Sequence, residues 1–154
     1  MPLKLSPLAP KKIKEINSVD GISVSTAYCG LKKNNKEDLD LIKLESPGDI
    51  LGVFTKSKTP GEQVIWNKSI HKYGKVSAIL INSGNANVFN GDAGRLSLLK
   101  IVKVLSEKLD IPKNQIYIAS TGVIGEPLDD KKIIKTIPFL ISNLNNDSNH
   151  WLKA

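Results

Sequence analysis

A glycine-containing turn at residues 119–128, Ala-Ser-Thr-Gly-Val-Ile-Gly-Glu-Pro-Leu, carries the residues best suited to chemistry in this 154-residue sequence. It follows an apolar run and precedes a segment of helical periodicity, which predicts a strand-to-helix turn. Gly122 and Gly125 allow the main chain to approach a bound group, and N–H groups at a helix start attract negative charge. With the Thr121 hydroxyl beside them, these donors could stabilise an acyl oxyanion, where one well-placed donor contributes about 3 kcal/mol. The same residues also fit a plain glycine turn capped by Thr121.

A second polar stretch, Asn-Ser-Gly-Asn-Ala-Asn at residues 82–87, follows the most apolar predicted strand, at residues 76–81. Asparagine often serves a purely structural role in turns, but Asn82 and Asn85 also present neutral donors and acceptors that could support a site. If the strands before the two polar stretches are neighbours, the stretches lie at the same edge of a sheet. Together they then indicate a small-molecule acyl site.

The elements that must position these stretches indicate an α/β fold in which helices pack on β-sheets. Apolar and polar residues alternate at residues 22–28, residues 39–44 return as a second strand, and residues 50–55 form a third apolar run, so three successive strands and an antiparallel sheet are predicted. Asp92 is predicted to cap the longest helix. Its apolar residues at helical spacing are Leu96, Leu99, Val102, Leu105 and Leu109.

The remaining predicted elements are a strand at residues 63–66, a helix at residues 67–73, a strand at residues 115–119 and a helix at residues 129–143. Pro138 is expected to bend or interrupt the last of these helices. Three prolines within residues 1–12 predict an extended arm, and a further helix is predicted to begin near Trp151.

The length predicts a single domain over residues 1–154. The net charge is +7, but Arg95 is the only arginine among 22 basic residues and aromatic residues make up 5%, so a nucleic-acid site is not favoured. The sequence has no run of about 18 apolar residues that would span a membrane, and its first residues do not resemble a targeting signal, which indicates a cytoplasmic protein. Cys29 is expected to be a packed side chain, and the sequence predicts no metal site and no cofactor.

Four segments of the chain resemble the bifunctional ornithine acetyltransferase and N-acetylglutamate synthase family of arginine biosynthesis. Residues 28–32, Tyr-Cys-Gly-Leu-Lys, look like the family's Gly-Ile-Lys segment, and residues 52–55 look like its Gly-Val-Phe-Thr strand. Residues 82–87 and 120–125 match two six-residue signatures, Asn-Ser-Gly-Asn-Ala-Asn and Ser-Thr-Gly-Val-Ile-Gly. Two such signatures in the family's order are far more specific than either alone.

The resemblance implies an α/β fold similar to that of N-terminal-nucleophile hydrolases, and self-cleavage into two chains that assemble as a heterotetramer of two alpha and two beta chains. It implies ping-pong transfer of an acetyl group from N-acetylornithine, and in many members from acetyl-CoA, to glutamate. The nucleophile is a threonine at the start of the beta chain, whose own amine acts as base. The family's oxyanion hole maps onto the Thr121 hydroxyl and the Gly122 N–H.

The sequence lacks the family's substrate-binding segments and its cleavage point. The family's substrate segments and its Ala-Thr cleavage point lie beyond the position of Ala154, so the resemblance predicts a fold incomplete at the C-terminus and no nucleophile in this chain. The other threonines, Thr26, Thr55, Thr59 and Thr136, match no catalytic position. The chain alone is therefore expected to be inactive.

Two further interpretations remain open at the level of sequence. One is a non-catalytic α/β binding or assembly module that kept the loop architecture and lost the catalytic half. The other is an N-terminal-nucleophile aminopeptidase of similar fold, which the asparagine signature makes less favourable. Dependence on a partner chain for activity separates the acetyltransferase fragment from the non-catalytic module.

Overall fold

A computed structural model of the chain describes residues 6–9, 17–33, 35–146 and Trp151. The strands are β1 (Ile22–Ala27), β2 (Leu39–Asp49), β3 (Lys75–Asn85) and β4 (Ile116–Val123), and the helices are α1 (Glu62–Ile70), α2 (Gly91–Leu109) and α3 (Asp130–Ser142). Most of the predicted arm at residues 1–12 and of the predicted helix near Trp151 lies outside the described residues. The predicted α/β fold is confirmed.

The four strands form one sheet in the order β1-β2-β3-β4. Strand β1 pairs with β2 in the antiparallel direction, as predicted for the first two strands. Strand β2 is also antiparallel to β3, whereas β3 and β4 are parallel. Parallel neighbours need a crossover connection, and α2 supplies it. The C-terminal ends of β3 and β4 therefore meet at one edge of the sheet.

Helices α2 and α3 pack on one face of this sheet and bury the main core. Its largest fully buried members are Leu39, Leu41, Leu80, Leu105, Ile116, Ile133, Ile137 and Leu140. On α2 the buried apolar residues are Leu98, Ile101, Val102 and Leu105, whereas the predicted Leu96 and Leu99 are exposed. The first four predicted residues follow steps of three, and each such step drifts about 60° around a helix, so the row does not stay on the core face.

The predicted strand at residues 50–55 is wrong. Strand β2 reaches Asp49, which pairs with Lys75, the first residue of β3. Residues beyond Asp49 run past the end of β3 and find no strand to pair with in the described chain. Leu51 and Val53 are consequently 95% and 98% exposed despite their strand-forming composition.

The predicted strand at residues 63–66 is also wrong, because the single helix α1 spans Glu62 to Ile70 and a 3-10 turn follows at His71–Tyr73. Two smaller predictions fail as well. Asn90, not Asp92, occupies the N-cap of α2, and Pro138 lies within a continuous α3. Proline removes one hydrogen bond within a helix, and α3 nevertheless continues past Pro138 to Ser142. None of the helices in the described part of the chain is both long and apolar enough to cross a membrane.

Candidate active site

Strands β3 and β4 are neighbours, which is the condition on which the prediction depended, and the two polar stretches lie side by side at the ends of these strands. Ser83 is paired with Thr121, and Gly84 with Gly122. Their local structure differs from the prediction, because both stretches continue the strands rather than forming turns, and α3 begins only at Asp130. Thr121 and Gly122 are therefore strand residues, and they do not lie at the N-terminus of α3.

Gly122 lies unusually close to the backbone of β3. A Cβ atom at this position would be 2.3 Å from the carbonyl carbon of Gly84 and 2.6 Å from the amide nitrogen of Asn85. Its φ of +135° is also a conformation that residues with side chains rarely adopt. Gly125 differs, since a Cβ there would meet nothing within 4 Å and its N–H donates to the Val88 carbonyl at 2.9 Å. Only the first of the two predicted glycines makes a close approach.

Helix α1 packs along β4 and binds its outer edge near the start of the strand. The side-chain amide of Asn67 binds both main-chain groups of Ile118, accepting from its N–H at 3.0 Å and donating to its carbonyl at 2.9 Å. The indole N–H of Trp66 donates to the Ile116 carbonyl at 2.9 Å. Because alternate residues of a strand direct their N–H groups to the same edge, we expect the Gly122 N–H to face this edge as well.

The Thr121 side chain lies at the same corner of the sheet. Successive side chains of a strand alternate between faces, so Thr121 shares a face with Tyr117, opposite the face that packs on α2 and α3 through Ile116 and Ile118. Thr121 and Gly122 are both solvent-exposed. A hydroxyl and an N–H from adjacent residues at one open corner are suited to hold a developing oxyanion.

The asparagines of residues 82–87 hold this corner together. Asn82 accepts a hydrogen bond from the Ser120 hydroxyl at 2.6 Å and donates to the Asn85 carbonyl at 2.8 Å. Asn85 donates to the Glu126 carbonyl at 2.9 Å and accepts from the Asn87 N–H at 2.8 Å. These buried amides are already satisfied by the chain itself, so they position the backbone around Gly122 rather than facing a ligand.

Asp38 is a buried carboxylate beside the candidate site that the sequence reasoning missed. Its side chain is fully buried and accepts from three main-chain N–H groups, those of Cys29 at 2.6 Å, Leu31 at 2.7 Å and Lys32 at 2.9 Å. Burial alone would raise the pKa of this carboxyl, but the three donors outweigh it and hold the pKa below its usual range. An acidic residue directly after a glycine-containing loop and before a strand was the signal available in the sequence.

The loop at residues 29–32, whose N–H groups bind Asp38, packs against Gly84, which in turn contacts Gly122. A Cβ on Gly84 would lie 3.1 Å from the carbonyl carbon and oxygen of Leu31, and the Asp38 carbonyl accepts from the Ser83 N–H at 2.9 Å. Leu31, Gly84 and Gly122 thus form three backbone layers in contact. The position of the Gly122 N–H depends on this stack as well as on its own strand.

Asp40 lies on β2 between Leu39 and Leu41, whose side chains belong to the main core. Its own side chain therefore lies on the opposite face of the sheet. It is 8% exposed and its Oδ1 has no hydrogen-bond partner. Burial raises the pKa of this carboxyl to about 6. The positive charge of Lys32 lowers the pKa, and the negative charges of Glu37 and Asp38 raise it further. Its negative charge at neutral pH is therefore unfavourable for folding.

Replacing Asp40 by asparagine is expected to stabilise the fold at neutral pH by about 1 to 3 kcal/mol, since one pKa unit corresponds to about 1.4 kcal/mol. The folded-state pKa lies above the unfolded value of 3.8, so the native state loses stability as pH rises from about 4 to about 6. The gain from Asp40→Asn should be small at pH 4 and full at pH 7. Urea unfolding of both proteins at the two pH values measures it, and a pH-independent difference would contradict the buried-charge explanation.

Two other features limit the chemistry of this chain. Within the described ranges 6–9, 17–33 and 35–146, no three His, Cys, Asp or Glu side chains come together as a metal ion would require. Burial and the nearby Asp38 raise the pKa of the Cys29 thiol to about 12, so it remains a neutral thiol, in keeping with the packed side chain predicted.

Comparison with known proteins finds a matching family and several relatives of this chain. The ArgJ family profile matches residues 23–154. The arginine biosynthesis bifunctional protein ArgJ of Bartonella quintana is 36% identical over 154 residues, and that of Bradyrhizobium diazoefficiens is 40% identical over 132 residues. These alignments cover 100% and 86% of this chain but only 37% and 32% of the relatives, so the chain spans about a third of their length.

Two solved structures share the fold. The ArgJ structure from Bacillus halodurans has a TM-score of 0.79 and 28% identity, and the match covers 85% of this chain and 68% of that one. Ornithine acetyltransferase from Mycobacterium tuberculosis, solved with ornithine, has a TM-score of 0.83 and 23% identity over 88% of this chain and 73% of that one. The profile match covers most of the sequence and agrees with the fold, and the chain therefore belongs to the ArgJ family.

Proposed function

We propose that this chain supplies the oxyanion hole of a glutamate N-acetyltransferase that moves an acetyl group from N-acetylornithine to glutamate in arginine biosynthesis. The observation that carries the proposal is the exposed pair Thr121 and Gly122 at the end of β4, where the close approach of Gly84 fixes the Gly122 backbone. Two donors fixed before the reaction stabilise the negative charge of a tetrahedral intermediate without reorganising.

The nucleophile in this proposal is a threonine from the part of the protein that corresponds to the remaining length of the relatives. Its hydroxyl attacks the acetyl carbonyl while its own terminal amine takes the proton. The carbonyl oxygen becomes negative and sits between the Thr121 hydroxyl and the Gly122 N–H. Collapse of the intermediate releases ornithine and leaves an acetyl-enzyme, which glutamate then attacks; acetyl-CoA could load the same nucleophile.

A second chain as partner is part of the same proposal. Matches to the two solved chains cover 68% and 73% of those chains, whereas this sequence covers 37% of the Bartonella quintana relative, so the solved chains are much shorter than the full relative. That difference supports an enzyme divided into two chains by self-cleavage, with two copies of each in a cytoplasmic heterotetramer. The exposed position of Thr121 and Gly122 leaves room for the partner to complete the site.

Replacing Thr121 by alanine tests the role of its hydroxyl. In the assembled enzyme, Thr121→Ala should lower kcat about 100-fold with little change in KM, because the lost donor acts on the transition state rather than on bound substrate. Thr121→Ser keeps the hydroxyl and is expected to retain most of the rate. Steady-state formation of N-acetylglutamate measures both variants. An unchanged kcat in Thr121→Ala would remove this residue from the oxyanion hole.

A further inference from the structure

A cleft of about 640 Å³ opens between the end of β1, the loop that follows it and α3. Its volume lies within the range of small-molecule sites in proteins. Helix α3 contributes four lining residues at helical spacing, Lys132, Lys135, Thr136 and Phe139. This row is a second face of the helix, separate from the one that packs into the core through Ile133, Ile137 and Leu140.

The charged groups of the cleft are not equally available. Lys132 is already held by the Gly30 carbonyl at 3.0 Å and by Asp129 at 3.6 Å. Lys135 and Glu37 also line the cleft, and neither forms an ion pair or a hydrogen bond within the part of the chain that the structure describes. One uncommitted cation and one uncommitted anion thus remain in the same cavity.

The rest of the lining is uncharged and mixed in character. Thr26, Tyr28 and Asn35 offer hydroxyl and amide groups, and Cys29 contributes a neutral thiol. Phe139 and Ala27 form an apolar wall. The Thr136 hydroxyl donates a hydrogen bond to the Lys132 carbonyl at 3.0 Å. Its oxygen can therefore act only as an acceptor for a donor in the cleft.

These features select a class of ligand by charge. A polyanion such as a nucleotide would meet a single free cation opposed by Glu37, and the cleft has no glycine-rich turn that could cradle phosphate. A small zwitterion instead satisfies both charges, with its carboxylate on Lys135 and its ammonium on Glu37. We propose that this cleft binds a free α-amino acid whose side chain lies against Phe139 and Ala27. This binding is independent of acetyl transfer.

The experiment is an NMR titration of the 154-residue chain with L-alanine, followed by L-glutamate and L-ornithine. We expect saturable amide shifts at Cys29 and Thr136, with dissociation constants in the millimolar range. Acetate and methylammonium each carry one of the two charges and should bind at least about tenfold more weakly, because each loses one charge-assisted hydrogen bond.

Variants of the exposed charges decide the outcome. Lys135→Ala and Glu37→Gln should each weaken alanine binding by about tenfold or more, whereas Lys108→Ala, a matched loss of charge on the exposed side of α2, should leave it unchanged. Absence of shifts, equal shifts with acetate alone, or unaltered binding to Lys135→Ala would overturn the proposal. So would shifts confined to Gly122 and its neighbours, which would place the ligand at the end of β4.

Discussion

Replacing Gly122 by alanine is expected to destabilise the fold by more than about 4 kcal/mol, the range of severe single substitutions. The added methyl group would lie 2.3 Å from the Gly84 carbonyl carbon, and the obstacle is paired backbone rather than a flexible side chain. The φ of +135° adds strain for any residue with a Cβ. Strands β3 and β4 would have to separate where the sheet holds the site.

Gly125→Ala is the matched control for this substitution. Its φ of +80° also disfavours a side chain, but a Cβ there meets nothing within 4 Å, so the cost should be about 1 kcal/mol. Urea unfolding followed by circular dichroism gives both free energies of unfolding. If Gly122→Ala is no more destabilising than Gly125→Ala, the close approach of the two strands is not a constraint on the fold.

Replacing Asp38 by asparagine should destabilise the fold by about 2 to 4 kcal/mol. An amide has one acceptor oxygen for three N–H groups that now share two carboxylate oxygens, and its NH2 group faces donors in a fully buried position. Asp40→Asn is the matched control, since the same change two residues away is expected to stabilise. Faster hydrogen exchange at the amides of Cys29, Leu31 and Lys32 should accompany the loss of stability.

The pH dependence of Asp38 runs opposite to that of Asp40. The folded-state pKa of Asp38 lies below its ordinary value of 3.8, so its contribution is present above that value and is lost as pH falls through the folded pKa. The difference between the original chain and Asp38→Asn should therefore shrink below about pH 4. Equal stability of the two proteins at pH 7 would show that the Cys29–Lys32 loop does not need this carboxylate.

The placement of the two polar stretches could be predicted because strand, helix and strand follow one another with unambiguous apolar patterns. That order allows β3 and β4 to be parallel neighbours, and the structure pairs them with Ser83 opposite Thr121. The family resemblance of the two signatures then gave Thr121 and Gly122 their expected roles, which remain proposals here.

Other features depend on contacts between distant segments that local pattern does not contain. Residues 50–55 have the composition of a strand, but β3 begins opposite Asp49 and leaves them without a partner. Residues 63–66 also look like a strand, yet Trp66 and Asn67 lie on a helix whose side chains bind the edge of β4. The three hydrogen bonds that Asp38 accepts join the loop at residues 29–32 to the start of β2. They depend on how the loop folds back on the strand, which the local sequence pattern does not contain.

The most direct test of the proposed acetyltransferase is the formation of N-acetylglutamate from N-acetylornithine and glutamate. The assay uses this 154-residue chain alone and then mixed with a chain that supplies the remaining length of an ArgJ protein. We predict activity in the mixture only, since the proposal gives this chain the oxyanion donors and places the nucleophile in the remaining length. Activity of the chain alone would contradict the placement of the nucleophile, and no activity in the mixture would favour a non-catalytic assembly module.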